Sequence, residues 1–300
     1  MAHPQATVDP DGAEHRLDHA DDGDPAGTAV KSADRVLQIF DLIAAKGPLT
    51  FSEVVAELEL PASSTHNLLK TLTRRSYLFL DPEGRRYHLG LRLWEVAQAY
   101  AASDSLPRLA QPIMDRVVEE TGETVQLSRL DGIENVYLAI SESPQPIKLV
   151  SAVGKRLYAH ATGLGKVLLA GLPEAEVRRR LAHATLPRFT ANTIVDPEAL
   201  LLALREIRAR GYATDDEEYV IGCRCVAMPI RDARGSVVAA MSVSIPTPRF
   251  SEELVERIHH ALAGAVEELS SRLGHIPSTG GGGATQASEA NQVTTGRSAR

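Results

Sequence analysis

Two cysteines one residue apart, Cys223 and Cys225, are the only thiols in the 300-residue sequence, which also carries ten histidines. A thiol and an imidazole need only meet in space to act as nucleophile and base, so Cys225 with His160 is the pairing that a thiol-dependent hydrolase or transferase would use. No partner acid stands at a useful spacing, and a buried, unreactive cysteine is the commoner case. Zinc would need a second ligand pair at its own spacing, which is missing, so no metal, no cofactor and no catalytic residue is expected. Two cysteines exclude a disulfide scaffold and fit a reducing, cytoplasmic location.

The stretch His160-Ala161-Thr162-Gly163-Leu164-Gly165-Lys166 puts small residues where a strand would hand over to a helix. Free backbone N–H groups at such a helix start suit a carboxylate. The glycines equally permit close packing of helix on sheet, and the local sequence leaves both readings open. Lys148, Lys155 and Lys166 read as solvated lysines rather than a phosphate-binding set.

Charge resolves by region. Asp9, Asp11, Glu14, Asp18, Asp21, Asp22 and Asp24 against Arg16 leave −6 over the first 24 residues, most of the whole-chain −7. From Lys70 to Arg92 the balance reverses: Lys70, Arg74, Arg75, Arg85, Arg86 and Arg92 against Asp81 and Glu83 leave +4. A local basic patch, not the total, decides polyanion binding. Ser63, Ser64, Thr65 and Asn67 have the side chains that reach base edges, while Lys70, Arg74, Arg85 and Arg86 suit phosphates.

The elements that must position these groups follow from periodicity. Val36, Ile39, Phe40 and Ile43 have helical spacing behind Ser32 as N-cap, and Lys46-Gly47-Pro48 ends that helix. Thr50 and Glu53 form a capping box for a short second helix, and Ser63-Ser64-Thr65 opens a third with Leu68, Leu69 and Leu72 buried. Tyr77 to Leu80, the turn Asp81-Pro82-Glu83-Gly84, and Arg85 to Leu89 read as a hairpin, so the first domain is a winged helix-turn-helix. Gly90 to Ala102 is a linker helix with apolar surface enough to pack against a partner.

Beyond it, helices are predicted at Leu109–Glu120, Gly163–Ala170, Pro173–Ala182, Ala199–Arg210 and Ser251–Leu273, with Gly122 and Gly211 as left-handed caps. Strands are predicted at Val125–Leu130, Val136–Ile140, Ile147–Val150 and Val237–Ile245. This is an α+β domain with a largely antiparallel sheet. The expected division is a disordered acidic tail (1–28), winged helix (29–90), linker helix (91–108), effector domain (109–275) and a disordered tail (276–300). No segment approaches the roughly 18 consecutive apolar residues of a spanning helix, so no membrane association is expected.

Over residues 30 to 273 the chain resembles the IclR family of bacterial transcriptional regulators. The resemblance rests on Leu60-Pro61, Leu68-Leu69-Lys70-Thr71-Leu72, Asp81-Pro82-Glu83-Gly84, Tyr87-His88-Leu89-Gly90, Thr121-Gly122-Glu123-Thr124-Val125, and Gly211 through Asp215, Glu218 and Gly222 to Cys225-Val226-Ala227. It implies a GAF-like effector domain, assembly as homodimer or homotetramer, a pseudo-palindromic double-stranded operator, and a small organic acid or aromatic effector held by Gly163, Leu164, Asp215, Cys225, Ser242 and Ser244. Asn67 and Ala62 depart from the family's common Arg and Lys, Leu164 is bulkier than usual, and Arg231 stands where an aromatic or His is usual.

Overall fold

The computed structural model describes residues 30–103 and 105–276; the tails expected at 1–28 and after Ile276 lie outside them. The first domain comprises α1 (Lys31–Lys46), β1 (Leu49–Thr50), α2 (Phe51–Leu58), α3 (Ala62–Arg74), β2 (Leu78–Leu80) and β3 (Arg86–Leu89). Its core is Ile39, Ile43, Leu49, Val54, Leu69, Leu72 and Leu78. The capping box is present: Thr50 Oγ1 accepts from Glu53 N, and the Glu53 carboxylate accepts from Thr50 N at 2.7 Å. It holds the turn into α2, a contribution of about 1 kcal/mol.

Three local expectations are corrected. Val30, not Ser32, is the N-cap of α1, without a side-chain cap, and α3 starts at Ala62 after Pro61, whose fixed φ replaces a polar cap. The hairpin gains a third strand, because β1 pairs with β3 at Leu49–Tyr87 and Thr50–Arg86 to give the order β1-β3-β2. A two-residue strand has no period to read. Gly90 closes the domain tightly, since a Cβ there would lie 2.2 Å from the Ser76 carbonyl oxygen.

The linker helix α4 (Leu91–Ser103) leaves Leu91, Trp94 and Val96 exposed at 69%, 61% and 48%. The remaining elements are α5 (Leu106–Thr121), β4 (Thr124–Asp131), β5 (Glu134–Ser141), β6 (Arg156–Tyr158), α6 (Gly163–Ala170), α7 (Glu174–Leu181), α8 (Pro197–Arg210), β7 (Ala213–Asp216), β8 (Cys223–Arg231), β9 (Val237–Pro246) and α9 (Glu252–Arg272). They build one six-stranded sheet, order β6-β5-β4-β9-β8-β7, in which every pairing is antiparallel. Gly122 and Gly211 cap α5 and α8 in the left-handed conformation, as expected.

Alternation along the central strands divides the sheet. Val125 and Leu127, Val226 and Met228, Met241 and Val243 face α5 and α9. Ala227 and Ala240 on the opposite face meet Leu164, Leu168, Leu200 and Leu204 of α6 and α8. On that second face Gln126, Ser242, Ser244 and Cys225 interrupt the apolar pattern.

Ile147–Val150 is not a strand: Pro144 and Pro146 precede it, and the Arg249 guanidinium donates to the Ile147 carbonyl. Leu149 and Val150 instead line a cavity. Strands β6, β7 and β8 went unrecognised in the sequence. Pro229 lacks a ladder donor, yet it is tolerated in β8 because β7 ends its pairing at Ala227, leaving Pro229 paired only with Ala240 of β9.

Candidate functional site

On α3, Ser63, Asn67, Lys70 and Arg74 are exposed at spacings of four, three and four, which align them along one stripe. Thr65, Leu69 and Leu72 form the buried opposite face. Thr65 is therefore corrected as a base-reading residue: its side chain is fully buried and its Oγ1 donates to the Pro61 carbonyl at 3.1 Å. Ser64 Oγ makes the same bond at 2.9 Å but stays partly accessible.

At the wing tip the Asp81 carboxylate accepts from Glu83 N and Gly84 N, fixing the turn, and these bonds hold its carboxyl below the usual carboxylate range. Arg85 follows in the left-handed region (φ 49°) and is exposed. Arg86 is exposed as well, and its Nη1 donates to the Pro48 carbonyl at 2.9 Å and to Glu53 at 3.2 Å. Its charge ties the wing to α2 and is partly neutralised there. Arg75, at the C-cap of α3, is a further exposed cation beside the stripe's basic end.

In the second domain all six expected effector residues, Gly163, Leu164, Asp215, Cys225, Ser242 and Ser244, line one cavity of about 40 Å³. That volume accommodates about three water molecules. Strand pairing brings them together: Asp215 lies opposite Cys225, Cys225 opposite Ser244, and Ser242 opposite Gln126. Helix α6 supplies the roof. Thr162 caps it, accepting from Gly165 N at 3.0 Å and donating to Asn135 Oδ1 at 2.8 Å. Gly163 and Leu164 occupy the first turn, whose N–H groups have no acceptor within a helix.

The packing reading holds for Gly165. A Cβ at Gly165 would sit 2.2 Å from Ala159 Cα, so that glycine is required for packing. Gly163 lies against the site, where a Cβ would stand 3.7 Å from Asp215 Cβ.

Burial raises the Asp215 carboxyl to about 7, with its Oδ1 accepting from Glu218 N at 2.8 Å. Below it Lys166 is corrected from a solvated lysine to a buried one, 4% exposed and paired with Glu218. Gln126, which sequence reasoning missed, is fully buried and accepts from Ser242 at 3.0 Å and Ser244 at 3.1 Å. Only its register opposite Ser242 identifies it. Tyr137, Leu149, Lys155 and Tyr219 also line the cavity.

Cys225 has the environment of a neutral thiol. Cys225 Sγ lies 3.3 Å from Ser244 Oγ, and the neighbouring Cys223 thiol and burial push its pKa well above the usual range. His160 has its Nε2 on the Pro187 carbonyl at 3.0 Å, packs against Tyr158 and Phe189, and is held below the usual imidazole pKa by burial. Among the described residues no group of three or more His, Cys, Asp or Glu could hold a metal ion, and no helix is long and apolar enough to cross a membrane.

Residues 98–271 match the family model of the bacterial transcriptional regulator IclR C-terminal domain, and residues 32–82 match the IclR helix-turn-helix domain. The chain is 37% identical over 241 residues to the HTH-type transcriptional regulator BhcR of Paracoccus denitrificans, covering 80% of this chain and 86% of that protein. The solved structure of Thermotoga maritima IclR superimposes with a TM-score of 0.67 at 32% identity, covering 82% of this chain and all of that one. An IclR homologue from Microbacterium hydrocarbonoxydans complexed with 4-hydroxybenzoate gives a TM-score of 0.69 at 28% identity, covering 80% and 99%. The winged helix and the antiparallel effector-type domain are thus those of a known class of regulator, and the chain belongs to the IclR family of bacterial transcriptional regulators.

Proposed function

We propose that this regulator binds a pseudo-palindromic operator as a homodimer or homotetramer and that a small organic acid or aromatic metabolite in the effector-type domain changes its operator affinity. The observation that carries the reading is the convergence of α6, β7, β8 and β9 on one cavity, with helix-start amides on one side and Asp215, Ser242 and Ser244 on the other. The 4-hydroxybenzoate bound by the Microbacterium relative supports this class of ligand.

Ser63, Ser64 and Asn67 read base edges, and Lys70, Arg74, Arg75 and Arg85 hold phosphates. Two copies place their recognition helices about one turn of DNA apart, which sets the pseudo-palindrome. The exposed apolar face of α4 supports a second copy as its cover. The protein acts in the cytoplasm and is not an enzyme: the alternative hydrolase would need Cys225 activated by a base, whereas the thiol is neutral and the His160 Nε2 is engaged elsewhere.

Incubation of the purified protein with fragments of its own genome, followed by sequencing of the bound fraction, tests the reading. Enrichment of a short pseudo-palindrome is the expected result, and the neighbouring genes nominate the metabolite. The coupling is reciprocal, so an effector that weakens operator binding must itself bind more weakly to the DNA complex. Equal effector affinity with and without operator removes that ligand from the mechanism.

A further inference from the structure

We infer that Cys223 and Cys225 form a dithiol site for trivalent arsenic within the cavity. Residues two apart on a strand share a face, and both cysteines stand on β8 and line the cavity. Both are free thiols, and Cys225 is further placed by Ser244 Oγ at 3.3 Å. Asp215 stands opposite Cys225 on the neighbouring strand.

The spacing favours an interposed atom over a direct bond. Alternate residues on an extended strand are about 6.7 Å apart with parallel Cβ vectors, at the far limit of disulfide geometry. A bridging arsenic lengthens the span between the sulfurs and leaves the strand extended. The donor set also discriminates: a tetrahedral cation wants four ligands, whereas the described residues present no group of three or more that could hold a metal ion. Trivalent arsenic needs three bonds and brings one substituent with it.

The chemistry balances without a redox partner. Arsenous acid, As(OH)3, is neutral at pH 7; it exchanges two hydroxyls for two thiols to give (RS)2AsOH. Two As–O and two S–H bonds break, two As–S bonds form, and both protons leave in the two waters released. Arsenic stays trivalent throughout. The Cys223 side chain and desolvation keep the Cys225 thiol neutral, which suits a reaction with no net charge, and Ser244 and Asp215 line the same cavity.

The test uses the full-length reduced protein with sodium arsenite as probe, read by native mass spectrometry and by protection of the two thiols from alkylation. The sequence holds no other cysteine to confuse the count. The expected result is one arsenic per chain with both thiols protected, reversed by a small dithiol. Cys223→Ser and Cys223→Ala should each weaken uptake by roughly 10²-fold, the loss of a chelate's effective concentration, while keeping the thermal midpoint of the parent. Cys225→Ser should weaken uptake to the same degree. No uptake by the wild type at millimolar arsenite overturns the site, as does a folded single-cysteine variant that retains arsenic as tightly as the parent. The outcome is independent of the proposed metabolite, because operator binding and organic-acid binding are separate measurements.

Discussion

The recognition stripe and the cavity floor use polar side chains under opposite conditions. On α3, Ser63, Asn67, Lys70 and Arg74 stand in solvent, each placed by helical spacing alone. In the cavity, Asp215, Cys225, Ser244 and Gln126 come from four strands and are mutually hydrogen-bonded or registered, and Asp215, Ser244 and Gln126 sit almost wholly out of water. In the first region a side chain can be exchanged with little effect on the fold. In the second each group is both ligand surface and core, so function and stability change together.

That contrast can be broken most forcefully at the buried ion pair under the cavity. Lys166→Ala leaves Glu218 buried without its partner and is expected to cost about 3–5 kcal/mol, read as a fall in the urea midpoint. The double variant Lys166→Met, Glu218→Leu should recover most of that loss; if it is no more stable than Lys166→Ala, the pair does not set the stability of this region.

Asp215 sharpens the contrast through pH. Its carboxyl titrates near 7 in the fold against 3.8 as a free side chain, because burial disfavours the charged form. The folded state therefore binds more protons between these values, so the contribution is present at low pH and lost as pH rises toward 7. The loss amounts to a few kcal/mol, at about 1.4 kcal/mol per unit. Asp215→Asn should flatten the unfolding profile between pH 4 and 7, and an unchanged slope would place the proton elsewhere.

On the exposed side the expected effects are smaller and leave stability alone. Asn67→Ala should relax preference at particular bases by about 1–3 kcal/mol, measured by selection of operator variants; intact preference would move the helix out of the assigned register. Arg85→Ala should weaken binding to all sequences alike and lower the salt slope by about 1. Arg86→Ala should instead shift the melting of the winged helix, because its guanidinium is bonded to Pro48 and Glu53. A salt-slope change for Arg86 as large as that for Arg85 would restore it as a phosphate contact.

Much of this architecture was legible in the residues. The capping box at Thr50 and Glu53, the glycine caps at 122 and 211, and the period of α6 and α9 are local signals, and they stood where expected. The six effector residues were assigned through family resemblance, and the fold brings them to one cavity. What failed was local pattern without local cause: Ile147–Val150 has strand composition but follows Pro144 and Pro146 and pairs with no strand, and Thr65 has a base-reading side chain but the buried side of the helix.

The sequence by itself determined the exposed half of this protein, because helical spacing and charge are properties of consecutive residues. It also determined that a polar interruption existed in strands otherwise apolar. Which polar groups face one another was decided only by tertiary structure. Gln126 reaches Ser242 across 116 positions and Lys166 reaches Glu218 across 52, and such pairs are specified by sheet register and by the exclusion of water, neither of which a local window contains.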